Sequence, residues 1–509
     1  MCSLRLRVSL FVSKVIPMDN NRGTFTGITL LGLGPGDPSL LTRQAWEVIT
    51  EIPEIYLRTR QHPTIPHFPP DLRIHSFDYL YEDGESFEQV YKNIVDNIVN
   101  LGKLPGGVVY AVPGHPFVAE ATSPEISRRG REAGILVRVI EGLSFVDAVF
   151  AVLEVDPLPH TIIMDGLEIA TTHFPPYPPS VPALIAQIHS PVIAAEVKLT
   201  LNSLFPDEHK VKLIHGAGSP QVKVENLNLY EIDRSPHIGL LTSLYIPPLG
   251  ERTSFESFQE VVAHLRAPDG CPWDREQTHQ TLRPHLLEEA YELLSALDAD
   301  DSDAMREEFG DLLLQIVLHS QIASEHGEFN MSDIIEGINT KIIYRHPHVF
   351  KELELEGVEG VLQNWERLKA AEREAKGQHE IGLLDGVALA LPALAQAEAY
   401  QMRAARVGFD WPNLQGVLDK VIEELQESQQ AVGEDERYAE IGDLLFAVVN
   451  LARWFDVDAE SALREANIRF KNRFSFIEAS ARMQGRDLAE MSLEEMDSLW
   501  DQSKLNPIP

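Results

Sequence analysis

Four acidic residues, Glu289, Glu292, Glu308 and Asp311, recur later in the chain as Glu424, Glu427, Glu440 and Asp443. Each set reads Glu-x-x-Glu followed by Glu-x-x-Asp. Residues three or four apart share one face of a helix, so each pair forms a patch of two carboxylates. In the first set, Asp298–Asp303 is a polar turn between the pairs. A short connection makes the flanking helices antiparallel, and pairs balanced about the turn then face each other at one level. The second set is balanced in the same way about a turn at Gly433–Glu436. Converging carboxylates repel one another and lose hydration, which costs several kcal/mol per uncompensated buried charge. A hard divalent cation removes that cost. Mg2+ takes oxygen ligands in an octahedron and keeps positions for water and phosphate. Lys341 and Arg345, and likewise Arg469 and Arg473, pair at i,i+4 on a following helix, where they suit phosphate oxygens.

The elements that must position these residues are helices, and they are duplicated. Leu287–Glu292 resembles Ile422–Glu427, and Glu308–Leu313 matches Glu440–Leu445. Asn339-x-Lys341-x3-Arg345 answers Asn467-x-Arg469-x3-Arg473, and Cys271–Asp274 has a looser echo in Phe409–Pro412. Four elements recurring in one order make a duplication. From Phe255 to Leu505 the spacing of Leu, Ala, Glu and Arg predicts an all-α region. Residues 27–248 instead alternate β-rich runs, Gly/Pro turns and helical stretches, which predicts an α/β domain. Strands are expected at Ile28–Gly32, Gly107–Val112, Leu136–Ile140, Thr161–Met164, Pro191–Ala195 and Lys210–His215. Helices are expected at Leu41–Ile49, Phe87–Asn100, Ser123–Ala133, Ser144–Val152 and Leu199–Phe205. Phe174–Pro182 reads as a loop and Pro247-Pro248 as a boundary. The expected organisation is a disordered extension over 1–26, the α/β domain over 27–248, and helical repeats over 250–380 and 381–505.

Composition narrows the function. The 509 residues include 78 Asp+Glu against 43 Lys+Arg, a formal charge of −35. At roughly 100–200 residues per domain this predicts about three domains. So acidic a chain lacks the basic surface that nucleic acid requires. Facing a polyanionic small substrate, it needs a divalent cation in between. Two distant cysteines, Cys2 and Cys271, exclude a disulfide framework and fit a reducing cytoplasm; Cys271 reads as inert. No apolar run is long enough to span a membrane. Met1–Val15 is basic and interrupted by Arg and Lys, so it reads as an extension or an early start, with Met18 as the alternative start, rather than a signal peptide. Trp273 and Trp411 read as core residues, with base stacking as the alternative. His346-x-His348, around Pro347, reads as loop structure. One helical hairpin cannot bury its own apolar face, so pairing into a homodimer is expected.

In the α/β domain, Gly32-Leu-Gly34-Pro-Gly36-Asp37-Pro38 follows a strand and precedes a helix, a turn that lets a ligand approach the backbone. With Tyr110-Ala-Val-Pro113-Gly114-His115-Pro116 and Glu141-Gly-Leu-Ser144, this turn resembles the tetrapyrrole methylase family over about 27–245. The resemblance implies a two-lobed α/β fold that binds S-adenosylmethionine. The cofactor-loop positions would be Gly34, Gly36, Asp37, Pro113, Gly114, His115 and Ser144. Where the family commonly carries Gly-Asp-Pro, this chain has Gly114-His115-Pro116, one carboxylate fewer.

The helical half resembles the MazG-type nucleoside triphosphate pyrophosphohydrolases over about 255–505. The resemblance is carried by Cys271–Glu292, Arg345–Phe350 and Arg403–Trp411 as well as by the acidic sets. It implies Mg2+-dependent conversion of NTP and water to NMP and pyrophosphate, in a cytoplasmic enzyme that clears non-standard or excess nucleotides. Mg2+ would sit on Glu289, Glu292, Glu308 and Asp311, and on Glu424, Glu427, Glu440 and Asp443. Glu288 and Glu423 would orient or deprotonate the water. Asn339, Lys341 and Arg345, or Asn467, Arg469 and Arg473, would hold the triphosphate. Two other readings are an S-adenosylmethionine-dependent methyltransferase with an auxiliary helical region, and a non-catalytic nucleotide-sensing scaffold. Intact acids in both repeats argue against the scaffold.

Overall fold

The computed structural model describes residues 26–505 except 84, 85, 352, 354–356 and 376–381. The expected N-terminal extension therefore lies outside the described residues apart from its last position. The chain divides into two compact units between Val261 and Val262.

The first unit holds two five-stranded sheets. Strands β1 (Ile28–Gly32), β2 (Glu54–Leu57), β3 (Arg73–Ser76), β4 (Val108–Val112) and β5 (Val137–Ile140) form an all-parallel sheet in the order β3-β2-β4-β1-β5. Central β1 and β4 are buried at every position, as a parallel strand covered on both faces must be. Leu31, Ile55, Val109 and Ala111 pack with Ala45 and Ile49 of helix α1 (Arg43–Glu51) on one side. Leu30, Val108 and Tyr110 pack with Ile94 and Ile98 of α2 (Phe87–Leu101) on the other. Two further helices, α3 (Thr122–Glu132) and α4 (Phe145–Leu153), follow β4 and β5.

The second sheet, of β6 (Ile162–Asp165), β7 (Ala183–Ala186), β8 (Lys210–His215), β9 (Lys223–Asn228) and β10 (Thr242–Ile246), runs β6-β7-β10-β8-β9. It is antiparallel except for β6 beside β7. Helix α5 (Pro191–Leu201) covers one face through Ala194, Val197 and Leu201.

Pro191–Ala195, expected as a strand, is the start of α5 instead. Its β-branched residues mislead, whereas Ser190 accepts the Ile193 N–H as N-cap and Pro191 occupies the first turn. Of the helix expected over Leu199–Phe205, only Leu199–Leu201 is helical, as the last turn of the same element, and the real strand is β7. Strands β2, β3, β9 and β10 were not expected; β2 and β3 have four residues each, and β3 alternates polar and half-buried positions.

The second unit is helical. Helices α6 (His279–Asp298) and α7 (Ser302–His326) form a hairpin, followed by α8 (Met331–Arg345). After α9 (Ala393–Arg406), helices α10 (Leu414–Gln430) and α11 (Glu434–Trp454) form a second hairpin, followed by α12 (Ala459–Met483). Asp301 caps α7 by accepting the Asp303 and Ala304 N–H groups. Between α10 and α11 the turn is Ala431–Gly433, tighter than the expected Gly433–Glu436, because Glu434, Asp435 and Glu436 open the next helix, where acids suit the dipole. Arg464 on α12 donates to Asp298 Oδ2 at 2.7 Å, joining α12 to the end of α6. Trp273 and Trp411 are corrections: Trp273 is 59% exposed and Trp411 41%. Neither belongs to the core.

Candidate functional site

Glu289 lies as far before the end of α6 as Asp311 lies after the start of α7. The antiparallel packing therefore brings them level. One oxygen each from Glu289, Glu308 and Asp311 lies within 4.8 Å of the others, and the same holds for Glu424, Glu440 and Asp443. Glu292 and Glu427 stand outside these triplets but act on them electrostatically. Burial first, then Asp311, Glu292, Glu308 and Glu288, raise the Glu289 pKa above the usual carboxylate range. Burial and then Glu292, Asp311 and Glu307 raise Glu308, and burial with Glu427, Glu424 and Asp443 raises Glu440.

Glu308 Oε2 is buried and has no hydrogen-bond partner. Among the described residues no Lys or Arg pairs with Glu289, Glu308 or Asp311. A lone buried carboxylate oxygen facing two more acids is the donor set a hard cation satisfies, so the residues fit Mg2+. Glu288 and Glu423 are exposed on the helix rims; His285 Nδ1 lies 3.6 Å from Glu288 Oε2, and Lys420 Nζ lies 3.0 Å from Glu423 Oε1.

The expected phosphate ligands are not brought into contact with the acids. Arg345 is held by Glu372 through Nε at 3.2 Å and Nη2 at 2.5 Å, and this pairing raises its pKa. Arg469 pairs with Glu465 at 2.9 Å, and the Arg473 guanidinium lies over the Trp500 ring at 5.4 Å. Asn339, Lys341 and Asn467 are exposed and make no side-chain hydrogen bond or ion pair among the described residues.

In the first unit three separately read motifs converge. Gly34 and Gly114 exchange backbone hydrogen bonds at 3.2 and 2.8 Å. A Cβ on Gly32 would lie 2.6 Å from the Gly114 carbonyl oxygen and from the Gly142 nitrogen. The tips of β1, β4 and β5 thus meet as bare backbone at the carboxyl end of the parallel sheet, where open α/β sheets bind ligands. Asp37 caps the next turn, accepting from Ser39 N–H at 2.8 Å and Oγ at 2.7 Å, which holds its pKa below the usual carboxylate range. Its own N–H donates to the Gly218 carbonyl at 2.7 Å. His115 Nδ1 accepts the Phe117 N–H at 3.1 Å, and Pro113 joins β4 to this loop. The Ser144 hydroxyl is consumed in a capping box with Asp147, at 2.7 Å.

Sequence reasoning missed two anchors of this region. His62 is buried and bridges the Gly34 carbonyl (Nε2, 3.0 Å) to Thr64 Oγ1 (Nδ1, 2.6 Å); burial pushes its pKa down to about 4. Glu120, whose side chain is 1% exposed, pairs with Arg58 at 2.8 Å and accepts from Thr122 Oγ1 at 2.9 Å and the Ser123 N–H at 2.5 Å. Arg58 also donates to the Tyr81 and Tyr91 hydroxyls at 3.0 and 3.3 Å. The signal available was an acid three residues before the N–H it caps at the start of α3. Arg58 follows β2, a strand that was not expected.

A parallel-sheet unit with glycine-built strand tips, joined to helical hairpins with convergent carboxylates, defines a fusion of methylase-type and acidic-hairpin domains. The family described as Tetrapyrrole (Corrin/Porphyrin) Methylases matches residues 27–233, and the MazG nucleotide pyrophosphohydrolase domain matches 277–350. The Bacillus subtilis (strain 168) protein YabN is 42% identical over 493 residues, covering 94% of this chain and 98% of YabN. The Thermotoga maritima nucleoside triphosphate pyrophosphohydrolase/pyrophosphatase MazG is 43% identical over 250 residues, 49% of this chain and 95% of its own length. An Escherichia coli (strain K12) nucleoside triphosphate pyrophosphohydrolase is 44% identical over 254 residues, 49% of this chain and 96% of its own. The chain belongs to the MazG family and carries a tetrapyrrole methylase domain ahead of its MazG region. The domain match spans the first hairpin; the second lies beyond it.

Proposed function

We propose that this protein is a Mg2+-dependent nucleoside triphosphate pyrophosphohydrolase, converting NTP and water to NMP and pyrophosphate. The observation that carries the reading is the convergence of Glu289, Glu308 and Asp311 around the partnerless Glu308 oxygen. The relatives named for this reaction support it. Bound Mg2+ would supply charge neutralisation at the phosphates and a more acidic water. Glu289, Glu308 and Asp311 hold the cation, with Glu292 adding negative charge beside them. Glu288, exposed at the rim, is placed to accept a proton from water. In the second hairpin, which we read as a second MazG repeat over 381–505, Glu424, Glu440 and Asp443, with Glu427 and Glu423, repeat these roles. Lys341 with Asn339, and Arg469 with Asn467, receive the triphosphate; Arg345 and Arg473 must first leave Glu372 and Trp500.

Clearing unwanted nucleotides in the cytoplasm, as a homodimer, is the physiological reading. The glycine-built cradle at Gly32, Gly114 and Gly142 supports S-adenosylmethionine binding by the 27–248 domain, near Gly34, Gly36, Asp37 and His115. The test is hydrolysis of standard and modified NTPs with and without Mg2+, with product identification, on wild type, Glu289→Gln and Glu424→Gln. NMP plus pyrophosphate, lost in one or both variants, is the expected result. No Mg2+-dependent hydrolysis of any NTP would remove the reading.

A further inference from the structure

The two hairpins differ in the residue one turn before the first acid of each cluster. On α10, one turn before Glu424, Lys420 places Nζ 2.7 Å from Glu424 Oε1 and 3.0 Å from Glu423 Oε1. Glu424 is only 5% exposed, and its carboxylate is the one that meets Glu440 and Asp443. The corresponding position on α6, one turn before Glu289, is His285. Its Nδ1 reaches towards Glu288 at 3.6 Å and makes no pair with Glu289. Among the described residues the first cluster therefore has three carboxylates and no paired ammonium or guanidinium, whereas the second has three carboxylates and a resident ammonium.

We propose that Lys420 is a built-in competitor for the divalent cation, so that the first hairpin loads at lower cation concentration and the second only by displacing the ammonium. This rests on reading both hairpins as cation sites. The affinity of an oxygen-ligand site follows its net ligand charge, and an ammonium on Glu424 removes one negative charge from the second site. It also occupies the Glu424 oxygen an incoming ion would need. Release of Lys420 into water is open, because about a third of its side chain is already exposed. Exchange therefore weakens the second site without abolishing it. Its effect is that of a partly buried ion pair, about three- to tenfold in affinity.

The experiment is a Mn2+ titration of the full-length, nucleotide-free protein, with free Mn2+ read by electron paramagnetic resonance. Wild type is expected to show a tight and a weak class, the tight class lost in Glu289→Gln and the weak class lost in Glu424→Gln. Lys420→Met tightens the weak class about three- to tenfold and leaves the tight class unchanged. Lys420→Arg, which keeps the charge, retains the wild-type order, and His285→Lys weakens the tight class. Equal affinities in wild type, or a Lys420→Met protein whose second class is unchanged or weaker, would overturn the proposal. Absence of all Mn2+ binding would overturn the cation-site reading as well, which separates the two failures.

Discussion

Individual side chains here hold free energy in opposite directions. Glu289 is kept above its usual pKa by burial and by the acids around it, so the folded, metal-free unit holds protons that the unfolded chain has released. The sign follows: stability of the metal-free protein falls as pH rises from the ordinary glutamate value of 4.5 through the raised one. Glu289→Gln should therefore raise the metal-free Tm of the helical unit at pH 7.5, by about 2–4 °C. The same change should remove the first hairpin's share of the Mg2+-induced rise; calorimetry with and without Mg2+ checks both. His62 has the opposite sign. Its pKa is lowered to about 4 from 6.5, so the unfolded state takes up the proton first as pH drops. About 3 kcal/mol of stability, present above pH 6.5, is lost as pH falls towards 4. His62→Asn should be less stable at pH 8, with the difference from wild type shrinking towards pH 4 in urea denaturation. Glu120→Ala, which leaves the mostly buried Arg58 without its counter-charge, should cost about 3 kcal/mol.

Elements decide which of these side chains meet. Gly32 at the end of β1 and Gly142 just beyond β5 approach each other more closely than a Cβ allows, whereas Gly114, just beyond β4, takes a positive φ of 68°. Gly32→Ala would press a methyl group against the Gly114 carbonyl and the Gly142 backbone. It should destabilise the first unit by about 2 kcal/mol and weaken binding of S-adenosylhomocysteine, measured by calorimetric titration, if that cradle holds the cofactor. Helices α6 and α7 perform the matching task for carboxylates. Asp301 fixes where α7 begins, and that start sets Glu308 and Asp311 level with Glu289.

For the whole molecule, the helical unit leaves much apolar surface uncovered. Leu287, Phe309, Ile316, Ile338, Ile441 and Phe446 are all exposed. Patches of this kind on hairpin helices mark a partner surface, and a second copy of the chain is the partner we expect. Sedimentation velocity at micromolar concentration should show a dimer, and Phe309→Glu should shift it towards monomer. A strict monomer in wild type would sink this expectation. Among the described residues no helix is long and apolar enough to cross a membrane.

The sequence alone determined the helical half's acidic chemistry, since Glu-x-x-Glu and Glu-x-x-Asp carry their own geometry once the helix period is known. It likewise determined the order of the α/β motifs, because Gly-rich turns after β-branched runs are local signals. It misassigned Pro191–Ala195, where β-branched residues outweighed the Ser190 cap and Pro191, and it missed β2 and β3, which are only four residues long and carry charged residues such as Glu54 and Arg73. Only tertiary structure decided that Glu292 and Glu427 stand aside from the triplets, because the third acid's position depends on how the partner helix packs. Only tertiary structure showed that Gly32, Gly114 and Gly142 share one point, and that Arg345 is committed to Glu372. The Lys420–Glu424 pair could have been read from its i,i+4 spacing. Its meaning could not, because that rests on Glu424 being buried beside two acids of another helix.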